Sequence, residues 1–536
     1  MQDGGVQGVQ VVFLLLLVFI VFFGALARKL QVPFPIVLMI AGLGVSFIPG
    51  IPRITLAPDL VFFVLLPPLL YSSAWRTSWR DFSYNLVSIV LLAVGLVAFT
   101  VAGVALTARS VFSGFDWRLG FVLGAVVAPT DAIAATAIFR RLGLPRRVVD
   151  VVEGESLIND ATGLLALEFG ISMVVYHQTP DLVSGGTRLI WLVAGGTGIG
   201  LVLGRLVEWF ELQIDDAQIE ITISILVPYA AYMAAQWVGA SGVLAVVACG
   251  LYLSRQSTRF FSPRVRIQVY AVWNALTFIL NGLVFVLIGL QLPNVLEGIR
   301  GEYGMGALLR YGALFSAVVI LLRLFWAFPG AHLAYFIRRR FLHQNEHVPP
   351  ARQVFVVGWA GMRGVIALAA ALALPHTLAD GSPFPLRHLI VFLTFSVILV
   401  TLVFQGLSLP AVIRALGIAS KGDGKCELTE AQRIVLEAAL QHIEEARSRD
   451  DRRWAGLYDD LAQHYRERLE ALNDSPGGGV PERRRKYVDL LREVLQVERQ
   501  TAVRLRDEGR ISDEVLRQIE HDVDLRDARL MGGVLE

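Results

Sequence analysis

Charge is what this sequence has least of. Of its 536 residues only 18% are Asp, Glu, Lys or Arg, against roughly 25% in soluble globular chains. The formal net charge is +2, which gives no electrostatic reason to expect a nucleic-acid partner. Cysteine is nearly absent: Cys249 lies in an apolar run and Cys426 in a polar tail, too few and too far apart for a disulfide framework or a thiolate metal site. No HExxH motif occurs, and the nine histidines fall mostly in loops or the tail, as at His177, His376 and His442. That pattern argues against a metalloprotease or another metal-dependent membrane enzyme. What fills the chain instead is apolar: 55% hydrophobic residues and a mean hydropathy of +0.57 mark a polytopic membrane protein.

A spanning helix needs about 20 largely apolar residues, because the hydrocarbon core is about 30 Å thick. Roughly thirteen runs qualify, at about 9–27, 33–49, 58–75, 86–108, 119–139, 150–176, 187–208, 219–237, 241–254, 268–291, 306–335, 353–375 and 388–414. The ninth is short, and twelve is the alternative count. The first run is longer than a signal-peptide h-region, and Arg28 and Lys29 follow it instead of preceding it, so it reads as a retained span. Basic residues cluster in alternate loops: Arg28 and Lys29; Arg76 and Arg80; Arg140, Arg141, Arg146 and Arg147; Arg255, Arg259, Arg264 and Arg266; Arg338, Arg339, Arg340 and Arg352. The other loops hold isolated residues such as Arg53, Arg118, Arg188 and Arg300. By the positive-inside rule the N-terminus is outside and the C-terminus cytoplasmic.

The composition changes after about Ala419. Residues 1–418 are expected to form the membrane domain and 419–536 a cytoplasmic helical domain, regulatory or dimerising. In the tail, Thr429 and Gln432 read as a capping box. Three apolar rows follow at helical spacing, one of Leu436, Leu440 and Ile443, one of Trp454, Leu457 and Leu461, and one of Val488, Leu491 and Leu495. The segment DSPGGGVP, 474–481, reads as a flexible break.

Ionisable groups at hydrocarbon depth cost roughly 2.5 to 3.5 kcal/mol each on insertion scales, so each one points to function. Asp131 lies near the middle of the fifth run, Glu155 and Asp160 in the first half of the sixth, Arg323 in the eleventh and Arg363 in the twelfth. Glu155 with Asn159, and Ser156 with Asp160, are both i,i+4, which sets two adjacent polar rows on one side of a helix. Ala161, Thr162 and Gly163 follow and allow close helix approach, while Glu153 reads as a first-turn acid at the helix start. Pro129 and Thr130 precede Asp131, and a proline there frees carbonyls beside a carboxylate, the chemistry of a cation site. Gly358, Gly361 and Gly364 mark a second break around Arg363. Two interrupted spans seven apart run antiparallel, the pointer to an inverted-repeat transporter with its site at the midplane. An interior arginine needs a partner, and the expected ion pair is Arg363 with Glu155.

The stretches APTDAIAATAIFRRLGLPRRVVDVVEGESLINDATGLLA (128–166), PYAAYMAAQWVGASGVLAVVACGL (228–251) and GWAGMRGVIALAAALALP (358–375) together resemble the sodium/proton exchanger branch of the cation/proton antiporters, the NhaP/NHE type. The resemblance spans most of residues 9–415. It implies an all-α fold of thirteen membrane helices in a dimerisation domain and a core, with two crossed, unwound helices, working as a homodimer in a bacterial inner membrane by elevator-like alternating access. It also implies a Na+ site made by the Asp160 carboxylate, the Ser156 hydroxyl and the Thr130 carbonyl, with Asp131 and Glu155 close by. Asn159 would orient Asp160, and Arg363 would restrain Glu155. Arg323 resembles a second core arginine of the family, with no role assigned. No cofactor is implied; the partners are membrane lipids and a second copy, and the role is pH and sodium homeostasis.

Burial disfavours an ionised carboxylate and a bound cation favours it, so cation and proton compete for Asp160. If only Asp160 switches, one proton replaces one monovalent cation. Asparagine at 159 adds no second carboxylate, and the expectation is electroneutral one-for-one exchange. Sodium, with lithium as congener, is favoured by the resemblance, while potassium accepts the same oxygen ligands. A cation channel would share the carboxylates but needs a continuous pore, and no repeated filter-like loop is present; single-channel current separates the two.

Overall fold

The computed structural model describes residues 3–49, 56–112, 115–176, 182–344, 348–418, 423–449, 454–473, 482–512 and, from 515 to 526, all but 517 and 521. The chain divides into two compact units, Met1–Lys421 and Gly422–Glu536. Among the described residues both are helical, with a single isolated bridge between Thr377 and Pro383.

The first unit begins with α1 (Asp3–Leu30), α2 (Phe34–Val45) and α3 (Leu66–Arg76), the last preceded by a π-helical stretch, Leu60–Leu65. Then come α4 (Trp79–Val90) and α5 (Val97–Val111), joined through a second π-helical stretch, Leu91–Leu96. The half-helices α6 (Trp117–Val127) and α7 (Ile133–Leu142) precede α8 (Arg146–Val175), α9 (Leu182–Glu211), α10 (Ala217–Trp237), α11 (Gly242–Phe260), α12 (Pro263–Leu290) and the short α13 (Leu292–Gly298). After α14 (Met305–Phe341) a second pair of half-helices follows, α15 (Ala351–Trp359) and α16 (Val365–Leu372). The unit closes with α17 (Arg387–Val400) and α18 (Gly406–Leu416), joined through the π-helical stretch Thr401–Gln405.

Eight of the described helices are long and apolar enough to cross a bilayer on their own: Phe13–Leu30, Trp79–Val111, Arg146–Val175, Gly185–Glu211, Ala217–Trp237, Val265–Gly298, Met305–Phe341 and Arg387–Leu416. The remaining apolar runs fall on shorter or interrupted helices such as Phe34–Val45, Leu60–Arg76 and Trp117–Val127. Two of the runs are interrupted: the fifth at Pro129, which supplies no backbone donor, and the twelfth between Trp359 and Val365, where Gly361 and Gly364 stand. The start of the sixth run moves forward from 150 to Arg146, directly after Pro145. Glu153 therefore sits in the third turn of α8, not the first.

Small residues set the helix spacing. A Cβ on Gly42 would stand 2.7 Å from the Val286 carbonyl oxygen, and one on Gly289 would overlap the carbonyl of Met39 and lie 2.7 Å from the Leu43 nitrogen. Those neighbours are backbone and cannot rotate aside. Gly289→Ala is therefore expected to destabilise the α2–α12 pair by about 1–3 kcal/mol; unfolding in mixed micelles beside wild type checks it, and unchanged stability would show that the helices separate freely.

The π-helical stretches leave carbonyls for side chains to reach. Thr162 Oγ1 on α8 donates to the Ala93 carbonyl at 2.6 Å, and Trp326 Nε1 on α14 donates to the Leu91 carbonyl at 3.1 Å. Irregular backbone at this depth is tolerated because these partners satisfy it.

The second unit holds α19 (Asp423–Arg449), α20 (Ala455–Asn473) and α21 (Glu482–Asp507). Thr429 and Gln432 lie inside α19, which starts earlier at Asp423, so they are not a helix-start capping box. Of the three apolar rows, Leu436 and Ile443 are buried, as is Leu495. Trp454, Leu457 and Leu461 are exposed, and α20 buries the smaller Ala462 instead. The expected break at 474–481 lies outside the described residues.

Candidate functional site

The site is built where the two interrupted spans meet. The backbone N–H of Asp131, in the gap between α6 and α7, donates to the Met362 carbonyl at 2.8 Å, in the gap between α15 and α16. This main-chain bond ties the two breaks together. A Cβ on Gly364 would lie 2.5 Å from Asp131 Oδ2 and 2.7 Å from its Cβ, so the crossing is as close as glycine allows. A Cβ on Gly163 would overlap the Pro129 ring, which lets α8 press against the first break. Asp131 Oδ1 accepts the Ile133 N–H at 2.8 Å and so holds the start of α7. The Thr130 carbonyl receives no backbone N–H among the described residues.

On α8, Glu155 and Asn159 form one buried row and Ser156 and Asp160 the neighbouring one. Glu155 is fully buried and is held bidentately by Arg323 of α14: Nη1 pairs with Oε1, and Nη2 lies 2.8 Å from Oε2. Thr130 Oγ1 donates to Glu155 Oε1 at 3.1 Å, and Asn159 Nδ2 donates to Thr130 Oγ1 at 2.6 Å. One connected network thus joins α14, α8 and the first break.

Two expectations are corrected by this geometry. The partner of Glu155 is Arg323, not Arg363. Arg363, fully buried, gives Nε to the Val127 carbonyl at 3.1 Å and Nη1 to the Gly361 carbonyl, while its backbone N–H donates to Thr401 Oγ1 at 3.1 Å. Its guanidinium satisfies carbonyls that the two breaks release, which is why it does not reach across to a carboxylate. Asn159, for its part, positions Thr130 and not Asp160.

Asp160 is only 5% exposed, yet no protein group among the described residues donates to its carboxylate. It faces a cavity of about 300 Å³ that is also lined by Thr130, Asp131 and Ser156. Ser156 Oγ accepts the Ala132 N–H at a long 3.4 Å, so its lone pairs and hydroxyl remain close to the cavity. Arg76, Arg140 and Glu153 also line the cavity, with Arg140 Nη2 2.7 Å from Glu153 Oε1. That pairing is the position of Glu153, in place of the first-turn role expected of it. Residues bearing carboxylate and hydroxyl oxygens, Asp131, Asp160, Ser156 and Thr130, therefore line one largely apolar-walled space. Arg323 and Arg363 are held by other groups, and among the described residues no guanidinium pairs with Asp131 or Asp160. A desolvated monovalent cation is the partner such a set accepts.

Several buried charges lie outside the four places read from sequence: Glu208, Glu211, Glu220 and Arg338 are each about as buried as Glu155. Glu208 accepts from Tyr252 Oη at 2.6 Å and from Arg205 Nη1 at 2.8 Å. They fall at helix ends, where flanking polar residues make them look solvated in sequence.

A family model described as "Sodium/hydrogen exchanger, transmembrane" matches residues 14–415. An uncharacterized Na+/H+ exchanger of Mycobacterium bovis is 35% identical, over 99% of this chain and 97% of that one. A sodium, potassium, lithium and rubidium/H+ antiporter of Bacillus pumilus is 32% identical, over 83% of this chain and 67% of that one. Among solved structures, the sodium proton antiporter of Methanocaldococcus jannaschii at pH 8 superposes with a TM-score of 0.60 at 20% identity, covering 76% of this chain and 97% of that one. At that identity the likeness is one of fold.

Proposed function

Belonging as it does to the sodium/hydrogen exchanger family, this chain is a multi-pass cation/proton antiporter, and we propose that it exchanges one monovalent cation for one proton at Asp160. The observation that carries the proposal is the Asp160 carboxylate, buried, without a protein donor, and facing a cavity shared with Ser156, Thr130 and Asp131. Asp160, Ser156 and the Thr130 carbonyl hold the cation, and Asp131 adds negative potential beside them. Glu155 stays out of the exchange because Arg323 neutralises it. A proton or a cation on Asp160 leaves the same charge, so the loaded carrier crosses equally in either form.

The Arg-rich loops face the cytoplasm by the positive-inside rule, which places the N-terminus outside. Arg76 and Arg140 belong to those loops and line the cavity, and on this reading the cavity is the cytoplasmic entrance of a carrier working by alternating access. The protein works in the plasma membrane as a homodimer, its C-terminal unit is regulatory, and its role is pH and sodium homeostasis; these readings rest on the family likeness.

Sodium is the preferred cation, with lithium as congener. A second reading includes potassium among the transported ions, favoured by the Bacillus pumilus relative, whose name includes potassium and rubidium. Proteoliposomes loaded with each ion in turn separate the two, since cavity size decides among ions that share oxygen ligands.

Electroneutrality has its own test. One net charge moved per cycle would couple to an imposed potential by about 2.3 kcal/mol per 100 mV, a bias of about fiftyfold. A potassium–valinomycin potential is expected to leave sodium-driven proton flux unchanged; flux that follows the sign of that potential would refute one-for-one exchange.

A further inference from the structure

From Tyr270 to Leu290 the helix α12 is apolar apart from one row. In YAVWNALTFILNGLVFVLIGL the polar residues Asn274, Thr277 and Asn281 recur at i, i+3 and i+7, which places them on one face. That face borders the ion cavity. Asn274 Oδ1 accepts from Arg76 Nη2 at 3.2 Å, at the mouth, and Thr277 and Asn281 line the cavity further in. Exposure falls along the row: Asn274 is exposed and Thr277 half-buried, while Asn281 is 8% exposed. These residues share with α3 the wall that faces α8, where Ser156 and Asp160 stand.

Thr277 gives its hydroxyl to the Trp273 carbonyl. Asn281 Oδ1 is buried and accepts no hydrogen bond among the described residues, an arrangement that costs stability unless something else uses the oxygen. A half-turn about the Cβ–Cγ bond exchanges the two ends of the amide without changing its volume, so either end can serve the cavity that Asn281 lines. A cation at Asp160 needs oxygen ligands on every side, yet Asp160, Ser156 and Thr130 all come from the α6–α8 side.

We infer that Asn281 supplies a cation ligand from the second wall, its amide oxygen completing the shell around an ion held at Asp160 and setting the choice among lithium, sodium and potassium. The inference rests on Asp160 being the ion site. An amide does not titrate in the working range, so Asn281 acts on the cation and leaves the proton's competition for Asp160 untouched. The polar row above it, Thr277 and Asn274, gives the hydrated ion a path from the mouth.

The test is sodium-, lithium- and potassium-driven proton flux in proteoliposomes of the full chain, for wild type, Asp160→Asn, Asn281→Leu and Asn281→Ser. Asn281→Leu removes the oxygen at similar volume and is expected to raise the cation KM about tenfold, the effect of about 1.4 kcal/mol of binding. It is expected to leave kcat and the pH profile at saturating cation in place, and to change the order of preference among the three ions. Asn281→Ser keeps an oxygen and should recover most of the affinity. Unchanged KM for all three ions in Asn281→Leu, with Asp160→Asn silent, overturns this inference alone. A fall in kcat with unchanged KM in both Asn281 variants marks a packing role and overturns it equally. Flux surviving in Asp160→Asn removes the site on which it rests.

Discussion

Asp160→Asn is expected to abolish cation-driven proton flux while leaving the protein folded. The substitution keeps the shape of the side chain and removes only its charge and its ability to bind a proton reversibly. No protein donor is left unpaired by it, because none among the described residues approaches the carboxylate. Removing an unpaired buried charge relieves a desolvation cost, so stability in detergent should be unchanged or higher. That combination separates a transport residue from a structural one, whose loss lowers stability and flux together. Flux within tenfold of wild type in sealed proteoliposomes would overturn the assignment of Asp160. Loss of flux with loss of the folded protein would leave Asp160 as a structural group.

The second large effect concerns Arg323. Arg323→Leu would leave the Glu155 carboxylate buried without its guanidinium, and breaking a buried pair from one side costs about 3–5 kcal/mol. Replacing both partners with apolar residues of similar volume should recover most of that loss, because no uncompensated charge then remains. Measured as a double-mutant cycle by denaturation in mixed micelles, Arg323 and Glu155 are expected to be strongly non-additive. The same cycle between Arg363 and Glu155 should be close to additive, since Arg363 is held by the carbonyls of Val127 and Gly361. Additivity for Arg323 and strong coupling for Arg363 would make Arg363, not Arg323, the partner of Glu155. Thr130 adds a functional consequence: its hydroxyl donates to Glu155 Oε1, so loss of Arg323 also disturbs the hold on a residue that lines the cavity.

Residues 128–131 and 358–364 show what a sequence can and cannot disclose. A proline before an intramembrane aspartate, and three glycines around an intramembrane arginine, are local signals, and the structure interrupts its helices at both places. Ser156 and Asp160 are brought to one cavity because i,i+4 spacing fixes them on one helix face whatever surrounds the helix. The partner of Glu155 was not legible. Two arginines were available, and the choice between them turns on which carbonyls are left bare once the breaks cross, a property of packing and not of spacing. Asn159 adjoins Asp160 in the chain, whereas its hydrogen bond goes to Thr130, 29 residues away. In the tail, Thr429 matched a start signal inside a helix that had already begun, and the row at Trp454, Leu457 and Leu461 had helical period without burial, because periodicity says which residues share a face and not whether that face is covered.

The main-chain bond from Asp131 to Met362 has a meaning for how this site can vary over generations. Every other link in the network is made by a side chain and is one codon change from being lost. This one is made by the peptide unit, which every residue except proline supplies. Side chains at 131 and 362 can change while the two breaks stay fastened, provided Gly364 keeps its place beside them. Ion preference can then be explored by drift in the groups around the cavity without first dismantling the scaffold that positions them.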